Sequence, residues 1–492
     1  MNILMVYPEI PSTFFSYKYA LKFISKKAAS PPLGLITVAA MLPGEWNIKL
    51  IDMNVAKLKN NDILWADYVF LSGMNIQKKS FIKIITRCNQ LKVKVIAGGP
   101  MATTEFKSFP GVDHFVLNEA EQTLPLFLED LKNGCTKRVY SSKEFPDISM
   151  SPTPIWRLLD LNKYAVMNLQ YSRGCPFNCD FCSITMLNGR NPRTKTLKQL
   201  ITEFDSLYKL GWRGEIFIVD DNFIGKKQKL KTEILPAMAK WLEEKNRPFS
   251  FGTEASINLA EDSELMDLMV QAGFGSVFVG IETPDSESLE ACGKTQNVKC
   301  DMIKAVKKIQ RHGLVVSGGF IVGFDNDSSS IFDRQISFIQ KSGIVTAMVG
   351  LLNAPSGTRL FDRLNSENRL LSTLSGDNMD GVMNFIPKMN YPTLIRGYKK
   401  ILESIYSQKS FYERVKTFLK EYNHTAFRSK KLSLNEIRAF ARSIFVLGVI
   451  DNGRKYYWKL FLYSLFNCPR KFPIVIKMLI YGFHFRQVVS TI

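Results

Sequence analysis

Short β-rich runs alternate with amphipathic helical runs along most of this chain, and that alternation restricts the fold more than any other feature. A strand, a helix and another strand close most simply as a parallel βαβ unit. Two such series are present. In the first, "NILMVYP", "NIKLID", "DYVFLSG", "VKVIAGGP" and "VDHFVL" read as strands, interleaved with the helical "PPLGLITVAAML", "KSFIKIITRCNQL" and "EAEQTLPLFLEDL". In the second, "AVMNLQYS", "GEIFIVDD", "FSFGTEA", "GSVFVGIET", "LVVSGGFIVGF" and "IVTAMVGLLNA" are strands separated by helices such as "LKQLITEFDSLYKLG". The predicted class is α/β, with a doubly wound, Rossmann-like domain over 1–135 and a linker with Pro146, Pro152 and Pro154 over 136–165. A partial (β/α)6 barrel follows over 166–360 and a helical, basic region over 361–492. Six units fall short of the roughly 250 residues of a closed eight-unit barrel, so a lateral opening is expected. Ligands on both architectures bind at the carboxyl ends of the strands.

The stretch "YSRGCPFNCDFCSIT" carries Cys175, Cys179 and Cys182, three of the chain's eight cysteines, spaced Cys-x3-Cys-x2-Cys. The other five, Cys88, Cys135, Cys292, Cys300 and Cys468, stand singly and form no disulfide framework. With no secretion signal evident in "MNILMVYP", the expected setting is the reducing cytosol. Zinc sites usually take a fourth ligand from a second pair, and His114, His312, His424 and His484 are remote in sequence. Three thiolates on a tight loop suit an iron–sulfur cluster that keeps one iron open. A zinc knuckle or three buried thiols is the competing reading.

Charge is distributed unevenly. From Lys388 onward there are 20 Lys+Arg and 5 Asp+Glu, so +15 of the net +20 falls there. "DNGRKYYWKLFLYSLFNCPRKFPIVIKMLIYGFHF" interleaves these cations with aromatic side chains. That pattern fits an anionic membrane surface; nucleic acid and a plain helical cap on the barrel are the alternatives. Each flank of "NCPRKFP" reads as too short to span a bilayer.

Cys175, Cys179 and Cys182, with Phe181 before the last, resemble the signature of radical S-adenosylmethionine (SAM) enzymes. The resemblance implies a 4Fe-4S cluster whose open iron is chelated by SAM, and a 5′-deoxyadenosyl radical released by reductive cleavage. It places Phe181, Asp220, Asp221, Glu254, Ser256, Glu282 and Gly323 around SAM: Asp220 and Asp221 at its amino group, Glu254, Ser256 and Glu282 at its ribose or carboxylate, and Gly323 in the strand that packs on adenine. The preceding doubly wound domain resembles that of the cobalamin-binding class. Ser72, Gly73, Met74, Gly98, Gly99, Pro100, Glu119 and Glu121 are then the expected cobalamin contacts, with generic flavodoxin-type binding as the alternative. No D-x-H-x-x-G is present, and His114 lies inside a strand as a packed residue.

Residues 1 to about 420 resemble the subgroup of hopanoid methylases and related lipid-modifying enzymes, through blocks such as "GWRGEIFIVDDNFIG", "GIETPDSESLEACGKTQN" and "VTAMVGLLNAPSGTRL". What this implies is methyl transfer by way of cobalamin to an unactivated sp3 carbon of an apolar substrate. Radical ring closure or C–C coupling with the same cofactors is the alternative, and a non-catalytic, nucleic-acid-binding cobalamin or metal sensor a remote one. The implied partners are a hydrophobic substrate such as a membrane lipid, a flavodoxin- or ferredoxin-type electron donor, and a peripheral membrane contact through the basic region, with no nucleic acid. The implied location is the cytoplasm, at the inner face of the membrane.

Overall fold

The computed structural model describes residues 1–371, 381–423 and 434–492, so His424 lies outside the described part. The first series forms a six-stranded, all-parallel sheet: β1 Asn2–Tyr7, β2 Asn47–Asp52, β3 Tyr68–Ser72, β4 Lys94–Gly98, β5 His114–Val116 and β6 Val139–Tyr140, in the order β2-β1-β3-β4-β5-β6. Its order reverses between β1 and β3, the doubly wound arrangement. Alternate residues of β1 serve the two faces, as the pleat requires. Leu4 and Val6 join one core with Leu71 and Phe81, while Ile3 and Met5 join the other with Phe70 and Phe127. His114 is buried in β5, with Nδ1 2.8 Å from the Lys137 carbonyl oxygen, a packed histidine as expected.

The segment expected to be a linker is not a free tether. It supplies β6, which pairs with β5 (Phe115 opposite Val139, Val116 opposite Tyr140). Two residues are too short for any periodicity to reveal. Further on, Trp156 and Tyr164 are buried, and the Tyr164 hydroxyl donates to Asp52 Oδ2 at 3.0 Å at the end of β2.

The second series is β7 Met167–Leu169, the antiparallel ribbon β8 Ser172–Arg173 with β9 Arg193–Thr194, then β10 Glu215–Ile218, β11 Ser250–Glu254, β12 Phe274–Glu282, β13 Val315–Val322 and β14 Ala347–Leu351. The six long-sheet strands are parallel and adjacent in the order β7-β10-β11-β12-β13-β14, and no pairing closes β7 onto β14. This is the open six-unit barrel anticipated from the repeat. Five of the six strands fall inside the predicted runs, and β12 starts one residue earlier, at Phe274.

An open barrel exposes edge strands, and exposed edges invite pairing with other chains. Here β14 is covered by helices Tyr391–Tyr406 and Gln408–Glu421. The buried Tyr406 hydroxyl donates to the Ala347 carbonyl oxygen (2.6 Å) and accepts from the Ala347 amide (3.2 Å). Arg414, also buried, donates to the Ile405 carbonyl oxygen at 2.6 Å and to Gln340 Oε1 at 2.8 Å.

The C-terminal helix, Phe472–Val489, packs on the connection after β1. The rings of Phe14 and Phe485 are 5.4 Å apart, those of Tyr17 and Tyr481 5.0 Å, and His484 Nε2 donates to the Phe14 carbonyl oxygen at 3.1 Å. One expectation is corrected here. Pro469–Val489 is long and apolar enough by length and composition to cross a membrane, because the prolines of "NCPRKFP" sit in first turns, where they need no amide partner. Half of that stretch is nevertheless buried inside the protein.

Tyr406→Phe removes the partner of two β14 edge groups at once. The unfolding midpoint in urea should fall by an amount equivalent to about 1–3 kcal/mol, the cost of leaving buried polar groups unpaired. An unchanged midpoint would show that this edge does not need its cover.

Candidate active site

The cysteine loop leaves β7 and returns through the β8/β9 ribbon, and two adjacent carboxylates at the end of β10 hold it down. Asp220 is fully buried and accepts from the Tyr171 amide (2.7 Å), the Ser172 amide (2.8 Å) and the Ser172 hydroxyl (2.6 Å). Asp221 Oδ2 accepts from the Gly174 amide and from Asn188 Nδ2, both at 2.9 Å. Both were expected at the SAM amino group. The structure corrects this for Asp220, whose oxygens are occupied by the chain itself, and it gives Asp221 a share in anchoring the loop. Gly174 has φ +101°, and a Cβ there would lie 3.0 Å from the carbonyl oxygens of Asn188, Gly189 and Asn191. Only glycine fits that turn.

Within the loop, the Cys182 amide donates to the Cys179 carbonyl oxygen (3.2 Å) and the Asp180 amide to that of Cys292 (2.9 Å). The Cys175 sulfur takes a backbone hydrogen bond from Phe177 and the Cys182 sulfur one from Ile184; Gln296 Nε2 lies 4.0 Å from Cys179 Sγ. Burial pushes all three thiols up, Cys182 to about 12, while the Lys294 cation draws each back down. The sulfurs are close enough to feel one another's charge. Among the described residues no group of three His, Cys, Asp or Glu side chains converges on a single ion. That donor set does not match tetrahedral zinc, which gathers its ligands on one atom. It fits a 4Fe-4S cluster, which takes each thiolate on a different iron.

The remaining strand-end residues divide by what pairs with them. Glu282, at φ +63° after the irregularity in β12, accepts from Lys294 Nζ at 2.6 Å. That ion pair holds Lys294 beside the sulfurs. Sequence reasoning missed Lys294, although it stands in the quoted block "EACGKTQN" directly after a glycine. The Ser256 hydroxyl donates to Asn258 Oδ1 at 2.6 Å and its amide to Asn222 Oδ1 at 3.2 Å. The Gly323 amide donates to Asp327 Oδ2 at 2.8 Å, and a Cβ there would meet Met383 and Leu394 at 3.2 and 3.3 Å. Gly323 thus makes a turn under the C-terminal region. Phe181 is half-buried, its ring edge-on to Phe324 at 6.2 Å.

Glu254 is different. It is open to solvent and, among the described residues, accepts no hydrogen bond, yet the charges of Asp221, Lys294, Asp220 and Glu282 all reach it. Its walled position and its carboxylate neighbours push it up to about 7. A carboxylate in that situation lacks a donor.

On the first sheet, Ser72–Gly73–Met74 and Gly98–Gly99–Pro100 end the neighbouring strands β3 and β4 and form one surface. The two turns interlock: a Cβ on Gly99 (φ +86°) would lie 2.3 Å from Ser72 Oγ, and one on Gly98 2.7 Å from the Val116 carbonyl oxygen. The missing side chains thus serve the turns themselves, while Met74 and Pro100 are exposed.

Glu119 and Glu121, the expected cobalamin contacts, pair here with cations of the barrel. Both are buried in a four-residue ion cluster with the cysteine loop. Arg173 bridges Glu119 Oε2 (2.6 Å) and Glu121 Oε1 (2.8 Å), and Arg193 reaches Glu119 Oε1 at 2.5 Å. Ser151 Oγ donates to Glu121 at 2.7 Å. Arg173 lies two residues before Cys175, so this cluster turns the carboxyl ends of the two sheets toward each other.

For Glu121, burial alone would raise the carboxyl; the Arg173 guanidinium and the Ser151 hydroxyl outweigh it and hold the group down at about 2. The folded value lies below the ordinary 4.5, so the stabilisation is complete above that pH and is lost as the pH falls toward 2. Denaturation of wild type and Glu121→Gln from neutral pH downward should show a gap on the order of 3 kcal/mol that closes with acid. Arg173→Met, which strands buried Glu121 and leaves Glu119 with Arg193 alone, should cost about 3–5 kcal/mol by the same assay. A pH-independent gap would disprove the assigned pairing.

Comparison with known proteins agrees with this geometry. Residues 169–336 match the model of the radical SAM superfamily, and residues 358–492 match a domain of unknown function, DUF4070. The chain is 41% identical to an uncharacterized methyltransferase of Synechocystis sp., over 99% of this chain and 92% of that protein. It is 32% identical to the hopanoid C-2 methylase of Rhodopseudomonas palustris, over 84% of this chain and 78% of the relative. The structure of the cobalamin-dependent SAM radical enzyme OxsB with aqua-cobalamin and SAM bound superposes with a TM-score of 0.61 at 14% identity, covering 100% of this chain and 80% of that one, and so shares the fold. With its cysteine loop, open barrel and preceding doubly wound sheet, the chain belongs to the radical SAM superfamily, among relatives that include the hopanoid C-2 methylase.

Proposed function

We propose that this protein is a cobalamin-dependent radical SAM C-methyltransferase that acts on an unactivated sp3 carbon of an apolar, lipid-like substrate. The observation that carries the reading is the ion cluster of Arg173, Arg193, Glu119 and Glu121, because it ties the turn after β5 of the first sheet to the start of the cysteine loop. When bound, the cluster and SAM supply a hydrogen-abstracting radical and the corrin supplies a methyl group.

The chain's own residues hold and shape. Cys175, Cys179 and Cys182 ligate the cluster, with Lys294 offsetting its negative charge. Glu254 accepts from a hydroxyl or ammonium group of SAM, and Asp221, Ser256 and Phe181 line the same space. Ser72, Gly73, Met74, Gly98, Gly99 and Pro100 form the floor for the corrin. Phe15, exposed, stands 6.2 Å from the ring of Phe278 on β12 and offers an apolar wall to a substrate. Dry apolar walls suit a radical reaction, since they exclude competing hydrogen donors and fix the reacting carbon. The cluster's electron would come from a flavodoxin- or ferredoxin-type donor.

Anaerobic reconstitution should give about four irons per chain, and Cys179→Ala should lose the cluster. Glu254→Gln should raise the Kd for SAM about tenfold or more in equilibrium dialysis while iron content stays unchanged. With methyl-labelled SAM and a lipid extract, label should appear in an apolar product alongside 5′-deoxyadenosine. Deoxyadenosine without label in any lipid would refute methyl transfer; unchanged iron in Cys179→Ala would refute the ligand set.

A further inference from the structure

The region matching the domain of unknown function carries a surface that the active site does not use. Helix Leu434–Phe445, continued by a wider turn to Ile450, and helix Arg454–Asn467 form a hairpin. They pack on each other and on the C-terminal helix through Phe440, Phe461 and Phe472, with ring separations of 6.2 Å (Phe440–Phe461) and 5.0 Å (Phe461–Phe472). That contact uses only their inner faces.

The outer faces are apolar too. Of the 20 large hydrophobic side chains recorded as exposed among the described residues, seven lie between Ile437 and Phe466, and Phe466 is 76% exposed. Phe445 and Val449 are four residues apart on one helix, as are Leu462 and Phe466 on the other, so each pair shares a face. A helix that is apolar on all sides is normally enclosed on all sides. Helix Arg454–Asn467 buries Tyr457, Leu460 and Ser464 but leaves Leu462, Leu465 and Phe466 in water.

Cations rim this face. Between Leu434 and Lys471 the chain has seven Lys or Arg and two Asp or Glu. One of the acids, Asp451, is tied to Arg486 at 3.0 Å. Arg438, Arg454, Lys455, Lys459 and Arg470 are exposed. Arg442 instead anchors the hairpin to the connection after β1, donating to the Lys22 carbonyl oxygen (2.6 Å) and Ser25 Oγ (2.8 Å). The same connection carries Phe15 to the barrel.

We propose that the 434–467 hairpin docks this protein on an anionic lipid surface. Phe445, Val449, Ile450, Leu462 and Phe466 enter the headgroup boundary, and Lys455, Lys459 and Arg470 meet lipid phosphates. Apolar burial and headgroup attraction add, and neither alone holds a peripheral protein firmly. The inference deepens the lipid-substrate reading, yet it concerns attachment only and can be tested with lipids the enzyme does not modify.

The reconstituted full chain is sedimented with phosphatidylcholine vesicles made with and without phosphatidylglycerol. Binding is expected only with the anionic lipid and should weaken as salt is added. Lys455→Glu/Lys459→Glu should weaken it about tenfold or more. Phe445→Ser/Phe466→Ser should weaken it comparably and raise solubility, with iron content and circular dichroism unchanged in both. No binding by wild type, or equal binding by both variants, overturns the proposal. So does light scattering that shows a wild-type dimer and a monomeric Phe445→Ser/Phe466→Ser, because a second copy then covers the face. Binding to a labelled oligonucleotide but not to vesicles, abolished by the lysine variant, also overturns it. If vesicles bind as expected while no lipid gains a methyl label, the docking stands and the substrate reading fails.

Discussion

Four charges buried together between two sheets set the geometry on which the rest of the active site depends. Arg173 and Arg193 meet Glu119 and Glu121 at 2.5 to 2.8 Å. Taking such groups out of water costs several kcal/mol per ion, so the cluster is a poor source of net stability. Its value is directional. A planar guanidinium with fixed donors accepts two carboxylates only in a narrow range of placements. Arg173 is covalently next to the cysteine loop, and Glu119 and Glu121 begin the helix after β5. The relative placement of the turn after β5 and the cysteine loop follows from that arrangement rather than from a flexible tether.

The carboxylates at the barrel's strand ends show how similar sequence positions acquire different work. A loop that carries three thiols has no ladder to satisfy its amides, and buried amides must be paired. Asp220 and Asp221 supply those acceptors, and Glu282 holds Lys294 against the sulfurs. Glu254 has the same strand-end address and, among the described residues, accepts no hydrogen bond.

The C-terminal helices solve a problem that the open barrel creates. Six units leave β14 as an edge, and Tyr406 and Arg414 satisfy groups there and in the segment before it that a seventh strand would otherwise meet. The last helix extends the same covering layer over Phe14 and Tyr17, which links the far end of the chain to the connection after β1. Among the described C-terminal helices the 434–467 hairpin carries most of the exposed large apolar side chains, seven between Ile437 and Phe466, and that asymmetry separates a cap from a docking surface.

Much of this was legible in the sequence. Strand periodicity located the six barrel strands, and the cysteine spacing located the cluster loop, because both are local patterns repeated over a few residues. The two-residue β6 was not legible, nor was the unbroken reach of Pro469–Val489. The contacts that Asp220, Gly323, Glu119 and Glu121 make within the chain were not legible either. What the sequence by itself determined was the order of elements and the identity of the thiols. Only the tertiary structure decided which carboxylate stays unpaired. The partners that occupy the others lie 49 positions away for Asp220 and Tyr171, and 54 for Glu119 and Arg173, beyond the reach of any local pattern.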